Sequence, residues 1–271
     1  MKGLISVIVS TYNWPQALNL SLKSLSEQTD LHFEVVVADD GSTEETKEVI
    51  EFWRAKSTFP VIHSWQEDLG FRLARSRNLA VSRSHGDYLI FLDGDCLVRS
   101  DFVASHRRLA ASHYVLAGQR ILLSESFTKQ CISSQGIAWR ESVSELIKLN
   151  QQKHINRFYP AINLSLGWLR TVRSRKWQLL RGCNWSLFRS NYLEIKGQDE
   201  AFEGWGYEDS DMVIRLINSQ CRVKWAGFSS PCFHLWHKTA DRTMSAENLR
   251  RLNLIRSEQR VLPKKSLFDA S

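Results

Sequence analysis

Acidic residues recur where apolar runs stop. Asp93-Gly94-Asp95 closes the run Tyr88 to Leu92, and Asp39-Asp40-Gly41-Ser42 closes Phe33 to Ala38. Two carboxylates one residue apart at a strand end can reach a hard divalent cation, which prefers oxygen ligands, and a bound diphosphate would supply further oxygens. Asp and Gly are also ordinary turn residues. A carboxylate at Asp39-Asp40 could accept from a base N–H or ribose hydroxyls, or Asp39 could cap the following helix. Arg72, Arg75 and Arg77 cannot all share one helical face, so at most two point at a site where guanidinium forks onto phosphate oxygens. In Phe202 to Asp211, Gly204 and Gly206 permit a tight backbone around an exposed Trp205, whose flat face can stack on a sugar ring. Glu208 and Asp209 open the next helix. A carboxylate there can take a proton from an attacking hydroxyl, or simply favour the helix dipole. His234 and His237 lie in Cys232-Phe233-His234-Leu235-Trp236-His237, and beside a carboxylate site either becomes a credible extra metal ligand.

The elements that must position these residues alternate. Leu4 to Val9 reads as a buried strand ended by Ser10 to Asn13. Pro15 suits a first helical turn with Asn13 as a nearby cap, and Leu18, Leu22 and Leu25 follow at helical spacing. Phe33 to Ala38 is a second strand, Glu44 to Lys56 a helix with Val49, Phe52 and Trp53 as its apolar face, and Val61-Ile62 the start of a third strand. Ala74 to Ser84 reads as a helix and Tyr88 to Leu92 as a strand. Such alternation predicts a mostly parallel sheet with helices on both faces. Ligands in such sheets bind outside the carboxyl ends of the strands, where Asn13, Asp39-Asp40, Asp93 and Asp95 would meet. The second half is less periodic. A helix is expected over Ser133 to Lys153 with Ile137, Val143, Leu146 and Ile147 as its core, and another over Met212 to Asn218. Val223 to Phe228 reads as a strand, and Ala246 to Arg260 as a charged helix carrying Leu249, Leu252 and Ile255. The expected organisation is one half over 1–100, a second over 101–240, and a helical tail over 241–271.

Composition narrows the class. A chain of 271 residues with 43% hydrophobic and 24% charged residues can bury a sizeable core. Its net charge of +7 suits a nucleoside diphosphate or an anionic membrane face without choosing between them. Five scattered cysteines include no CxxC pair, so reduced thiols in a cytosolic protein are expected rather than a zinc ribbon or disulfide framework. No run approaches the ~20 apolar residues of a membrane span. The basic stretch Arg170 to Lys176, bracketed by Trp168 and Trp177, could fold over a diphosphate, rest on anionic lipid, or stand as a solvated loop. No nucleic-acid motif accompanies it.

Taken in order, Ser10 to Asn13, Asp39 to Ser42, Arg77-Asn78, Asp93 to Asp95 and Gly204 to Asp209 resemble the motifs of family 2 glycosyltransferases of the GT-A fold. The last block, Gly204-Trp205-Gly206-Tyr207-Glu208-Asp209, is also similar to that of chondroitin-polymerase-like and galactosyltransferase-like enzymes. The resemblance spans residues 4–238 and implies roles. Thr11, Tyr12 and Asp40 would hold the nucleoside of a nucleoside-diphosphate sugar, with a UDP-sugar the expected donor. Arg77 would contact the diphosphate, and Asp93 the ribose or donor sugar. Asp95 would bind Mn²⁺ or Mg²⁺ with His234 or its rival His237. Trp205 and Glu208 would engage a glycan or glycolipid acceptor, and Asp209 would be the base of an inverting hexosyl transfer. Many relatives carry two adjacent acids at the Asp95 position, whereas here Cys96 follows. The implied setting is synthesis of a bacterial surface polysaccharide, lipopolysaccharide or capsule, in the cytoplasm or peripherally at the inner face of the membrane. Transfer to a peptide or protein, and a catalytically silent sugar-binding protein, are the alternatives. A nucleotidyltransferase would carry a Gly-rich basic loop after the first strand, where Ser10 to Pro15 has none.

Overall fold

The structure is a computed structural model that describes residues 1–136, 140, 142–229, 231–238 and 241–270. Seven strands form the main sheet, in the order β3-β2-β1-β4-β8-β6-β9. Here β1 is Ile5–Thr11, β2 Phe33–Asp39, β3 Val61–Trp65, β4 Tyr88–Asp93, β6 Tyr114–Ala117, β8 Asn184–Phe188 and β9 Arg222–Trp225. Strands β1 to β4 pair in parallel, β8 runs antiparallel to both β4 and β6, and β6 and β9 are parallel. The sheet therefore draws strands from both sides of residue 100.

Both faces of β1, β2 and β4 are buried, which is why these segments read as continuous apolar runs. Ile5, Val7 and Val9 of β1 face one core with Leu18, Leu22 and Leu25 of α1 (Pro15–Leu25) and Ile50 and Trp53 of α2 (Glu44–Lys56). On the other face, Ile8, Val36 and Phe91 pack with Ala80 and Val81 of α3 (Leu73–Arg83) and Met212, Val213 and Leu216 of a later helix, Glu208–Asn218. Between β1 and β4 the chain order reverses, making the crevice in which such sheets bind ligands. The register sets Ser10 opposite Asp93 and Thr11 opposite Asp39, so the strand-end polar groups lie level at that edge.

A second sheet, β5-β10-β7, lies beyond the Asp93 turn. It comprises β5 (Cys96–Val98), β7 (Gln119–Leu122) and β10 (Pro231–His234). Leu97, Ile121 and Phe233 anchor it to a core closed by Phe127 of α5 (Glu125–Ser133) and Leu146 of α6 (Val143–Gln151). The first half's remaining helix, α4, is Phe102–Leu109. The helices α7 (Arg189–Glu194), α8 (Glu208–Asn218) and α9 (Ser245–Ser257) complete the fold.

Several sequence expectations change. The helix expected over Ser133 to Lys153 is interrupted: α5 ends in a left-handed turn at Gln135 and Gly136, where Gly136 N–H donates to Cys131 C=O at 2.6 Å. A capping box at Ser142 and Glu145 then starts α6, burying Leu146 but leaving Val143 exposed and Ile147 half-buried. Ile137 lies outside the described residues. In α2 the inner face is Thr46, Ile50 and Trp53, while Phe52 is exposed, as is Leu249 in α9. Strand β9 stops at Trp225 rather than Phe228, and α8 begins at Glu208, a turn earlier than Met212. Asn13 does not cap α1; its Oδ1 accepts from Thr43 N–H at 2.9 Å, joining the β1 loop to the start of α2. Arg170 is no part of a surface patch. It is buried and donates to the carbonyls of Leu164, Trp225 and Gly227 and to Ser229 Oγ.

Candidate active site

The Asp93-Gly94-Asp95 turn bridges the two sheets. Gly94 N–H donates to Ser10 C=O at 2.7 Å, and a Cβ at Gly94 would stand 2.8 Å from that same oxygen, so only glycine lets the turn lie against β1. Asp93 Oδ1 receives Arg77 Nη2–H at 2.9 Å. Arg77 comes from α3 and is completely buried, donating also to Ser10 Oγ at 3.0 Å and Gly182 C=O at 3.0 Å. Arg77 is thus the buried counter-ion of Asp93, and its Nη1 has no hydrogen-bond partner among the described residues. Burial pushes Asp93 up to about 6 against the pull of Arg77.

Asp95 is half-buried, and the antiparallel register of β5 with β10 sets Cys96 opposite His234. His234 Nε2 lies 3.7 Å from Asp95 Oδ1, and His237 Nε2 lies 3.4 Å from Asp95 Oδ2. The two histidines posed as rivals are thus both at Asp95, with ligand atoms of all three within 4.8 Å of one another. His234 Nδ1 bonds to Leu235 C=O at 2.8 Å and His237 Nδ1 to Lys238 C=O at 2.7 Å. A carbonyl only accepts, so each Nδ1 carries the proton, and in the neutral ring the Nε2 lone pair faces Asp95. Metal-ligating histidines are oriented in this way. One carboxylate and two imidazoles form a mixed oxygen–nitrogen set, which fits Mn²⁺ better than the oxygen-demanding Mg²⁺.

The turn before α8 holds three residues of positive φ, +72° at Gly204, +112° at Gly206 and +73° at Tyr207. A Cβ on Gly204 would also meet Met244 Cγ at 2.7 Å. The turn delivers Glu208 and Asp209 to the N-terminus of α8, where the dipole favours their charge. Asp209 Oδ1 accepts from Ser210 N–H at 2.7 Å, while Oδ2 lies against Gly182, where a Cβ would approach within 2.9 Å. Glu208 Oε2 is buried with no hydrogen-bond partner among the described residues. Burial, and then the charge of Asp209, push Glu208 up to about 7. Burial likewise raises Asp209, with Arg77 opposing. Arg77, Asp93, Asp95, Glu208, Asp209 and His234 thus share one electrostatic neighbourhood.

The expected nucleoside contacts are arranged less uniformly. Thr11 ends β1 at the crevice, and exposed Tyr12 donates its OH to Asp68 Oδ2 at 2.9 Å. Asp40 is buried, and both its oxygens hold the next loop, Oδ1 receiving Gln66 Nε2–H at 2.5 Å and Oδ2 receiving Arg72 N–H at 2.7 Å. Asp39 holds its own turn through Ser42 N–H at 2.8 Å and meets His63 Nε2 at 2.8 Å. Trp205 stands at the rim, and the guanidinium of Arg242 lies 4.7 Å from its ring centroid, covering one face. Asn78 points away from the crevice. It holds Gln198, Glu200 and Tyr192, and so fixes the approach to the Gly204 block.

Sequence reading missed Gly182 and Cys183. Gly182 C=O receives Arg77, and Cys183 C=O receives Asp93 N–H at 3.2 Å. The available signal was a glycine just before the apolar strand Asn184–Phe188, too common to single out.

Two family models match successive stretches of the chain. A family model described as Glycosyl transferase family 2 matches residues 6–173, and one described as the N-terminal domain of galactosyltransferase matches residues 171–238. The chain is 29% identical over 232 residues to a validoxylamine A glucosyltransferase of Streptomyces hygroscopicus subsp. jinggangensis, covering 79% of this chain and 51% of that protein. It is 29% identical over 238 residues to a chondroitin synthase of Escherichia coli, covering 80% of this chain and 32% of that protein. The chain thus spans about half or less of the length of these relatives. Among solved structures it is similar to S. aureus TarS 1-349, with TM-score 0.58 and 18% identity over 94% of this chain and 64% of that one. It is equally similar to the mannosyltransferase PcManGT of Pyrobaculum calidifontis, solved with GDP-Man and Mn²⁺, with TM-score 0.58 and 18% identity over 93% of this chain and 61% of that one. At this identity the likeness establishes a shared fold, and that fold is GT-A.

Proposed function

The chain belongs to glycosyl transferase family 2, and on that premise we propose that it is an inverting, metal-dependent glycosyltransferase moving a hexose from a nucleoside-diphosphate sugar to a glycan hydroxyl. The observation that carries this reading is that Asp209 lies against Gly182, whose carbonyl holds the Arg77 counter-ion of Asp93, while Asp95, His234 and His237 cluster at the end of the same turn. A UDP-sugar is the proposed donor, its nucleoside seated by Thr11, Tyr12 and the loop that Asp40 fastens. Arg77 keeps the Asp93 carboxylate aligned to accept hydroxyls of the ribose or donor sugar. Asp95, His234 and His237 would hold Mn²⁺, or less readily Mg²⁺. When bound, the cation supplies positive charge that neutralises the departing nucleoside diphosphate.

Asp209 then takes the proton of the acceptor hydroxyl as that oxygen attacks the anomeric carbon from the side opposite the leaving group. Burial raises its proton affinity, which makes it a stronger base than an exposed carboxylate. One displacement without a covalent intermediate inverts the anomeric configuration. Glu208, with its unpartnered oxygen, and Trp205 at the rim would receive the acceptor sugar.

The test is donor turnover by purified protein with Mn²⁺ across a panel of nucleoside-diphosphate sugars, with the product anomer read by NMR. Wild-type transfer by both Asp209→Asn and Asp95→Ala would overturn the mechanism. Two of the similar proteins are chondroitin synthases, which supports a glycan acceptor. We place the reaction in bacterial surface-polysaccharide synthesis, of lipopolysaccharide or capsule, on the cytoplasmic side. A peptide or protein acceptor would instead appear as label transferred to polypeptide. Acceptor binding with no metal-dependent donor binding would mark a catalytically silent sugar-binding protein.

A lipid-linked acceptor agrees with one surface. Among the described residues no helix is long and apolar enough to cross a membrane. Trp168, Leu169 and Val172 nevertheless stand 76%, 51% and 63% exposed, beside exposed Arg173, Arg175 and Lys176. An apolar wedge rimmed by cations is the composition of a peripheral contact with anionic lipid.

A further inference from the structure

We propose that Cys96, Cys183 and Cys232 form a second cation site, for a thiophilic divalent cation of the zinc class, distinct from the Asp95 cluster. Three separate segments build it. Cys96 opens β5, directly opposite His234 of β10, and Cys232 lies two residues before His234 on the same strand face. Cys183 enters from the segment before β8, its carbonyl tied to Asp93 N–H. The three sulfurs lie within 4.8 Å of one another. Thiolates at ~2.3 Å from one cation stand about 3.8–4.0 Å apart, so the cluster needs only a small contraction. The other two cysteines are remote from it: Cys131 packs in the core under the small sheet and Cys221 in the core beside α8.

The surroundings supply the charge balance. Arg120, the partner of Cys232 on β7, brings its positive charge close to the three sulfurs, Cys183 foremost. A divalent cation entering displaces the thiol protons to solvent and leaves thiolates around +2, with the Arg120 guanidinium beside them. Nothing is oxidised. Ligand chemistry sorts the two sites, because thiolates select zinc-class ions while carboxylate and imidazole accept Mn²⁺. A filled thiolate site would staple β5, β10 and the Gly182 segment, the three pieces that carry Asp95, His234 and the neighbour of Asp209.

The reduced, metal-free full chain is titrated with Cd²⁺ in excess Mg²⁺, reading thiolate-to-cadmium absorption in the ultraviolet. One equivalent is expected to saturate the band. In the wild-type protein under mildly denaturing conditions, Cd²⁺ at 100 times its Kd should slow alkylation of Cys96, Cys183 and Cys232 about 100-fold. Alkylation of Cys131 and Cys221 should be no more slowed than global stabilisation requires, as shown by unfolding measured in parallel. Cys183→Ser and Cys232→Ser should each lose the band, and Cys131→Ser and His234→Ala should keep it. No band at one equivalent, a band surviving in Cys183→Ser, unslowed alkylation of Cys96, Cys183 and Cys232, or loss in His234→Ala would overturn the assignment. None of these readouts uses sugar transfer, so the result stands or falls apart from the proposed reaction.

Discussion

Glu208 is the residue whose environment costs the protein most visibly. Its proton affinity rises from the ordinary 4.5 to about 7, because burial and the charge of Asp209 both disfavour a second carboxylate. The folded state therefore holds a proton that the unfolded chain releases between those values, and stability falls as pH rises from about 4.5 to 7. Glu208→Gln removes the burden. It is expected to stabilise by about 3 kcal/mol at pH 8 and by almost nothing at pH 4, read from urea unfolding. Equal gains at both pH values would show that the charge is not the cause. Asp209→Asn should separate chemistry from binding: kcat falls about 10²–10⁴-fold while the donor KM and the unfolding midpoint stay near wild type. Asp209 was legible in the sequence as an acid at a helix start. The orphan oxygen of Glu208 was not, since burial without a partner is a property of the packed chain.

At the scale of elements, the site is an agreement between a turn and a helix end. Gly182 leaves room for the Asp209 carboxylate, and Gly182→Ala would place a methyl 2.9 Å from Oδ2. A carboxylate can swing aside cheaply, so the substitution should leave stability nearly unchanged while displacing the base. A loss in kcat of about 100-fold is expected. Activity equal to wild type would show that Asp209 does its work in another orientation. The strands and helices of the first hundred residues were readable because strands buried on both faces are continuous apolar runs. The segment after Ser133 was not. Its helical periodicity continues on both sides of a break made by the backbone at Gln135 and Gly136 and by the new cap at Ser142.

For the whole molecule, the Asp95 cluster joins the turn after the main sheet to the last strand of the small one. Mn²⁺ should therefore raise the global unfolding midpoint, by about 2.7 kcal/mol of stability at 100 times its Kd, and chelator should reverse it. Asp95→Ala and His234→Ala should abolish the increment, and a gain that survives both would put the ion elsewhere. The Trp168 surface makes a separate prediction. Sedimentation with vesicles of anionic phospholipid should recover the protein, neutral phosphatidylcholine vesicles should not, and Trp168→Ala with Leu169→Ala should weaken recovery about tenfold or more. Unchanged recovery of that variant would leave the +7 net charge as the sole attraction.

The sequence by itself determined the parallel half of the sheet, its polar strand ends and the acid pair opening α8. Each of these is written in contiguous residues, as an apolar run with its stop or a glycine turn before a helix. Tertiary structure alone decided the partners. Arg77 reaches Gly182, 105 positions away, and is buried as the counter-ion of Asp93. The register of β5 against β10 brought both histidines to one carboxylate and Cys96 to Cys232, where spacing along the chain left the histidines as rivals and the thiols as scattered. Hydrogen bonds and sulfur contacts across sheets depend on register and packing, and no local periodicity records either.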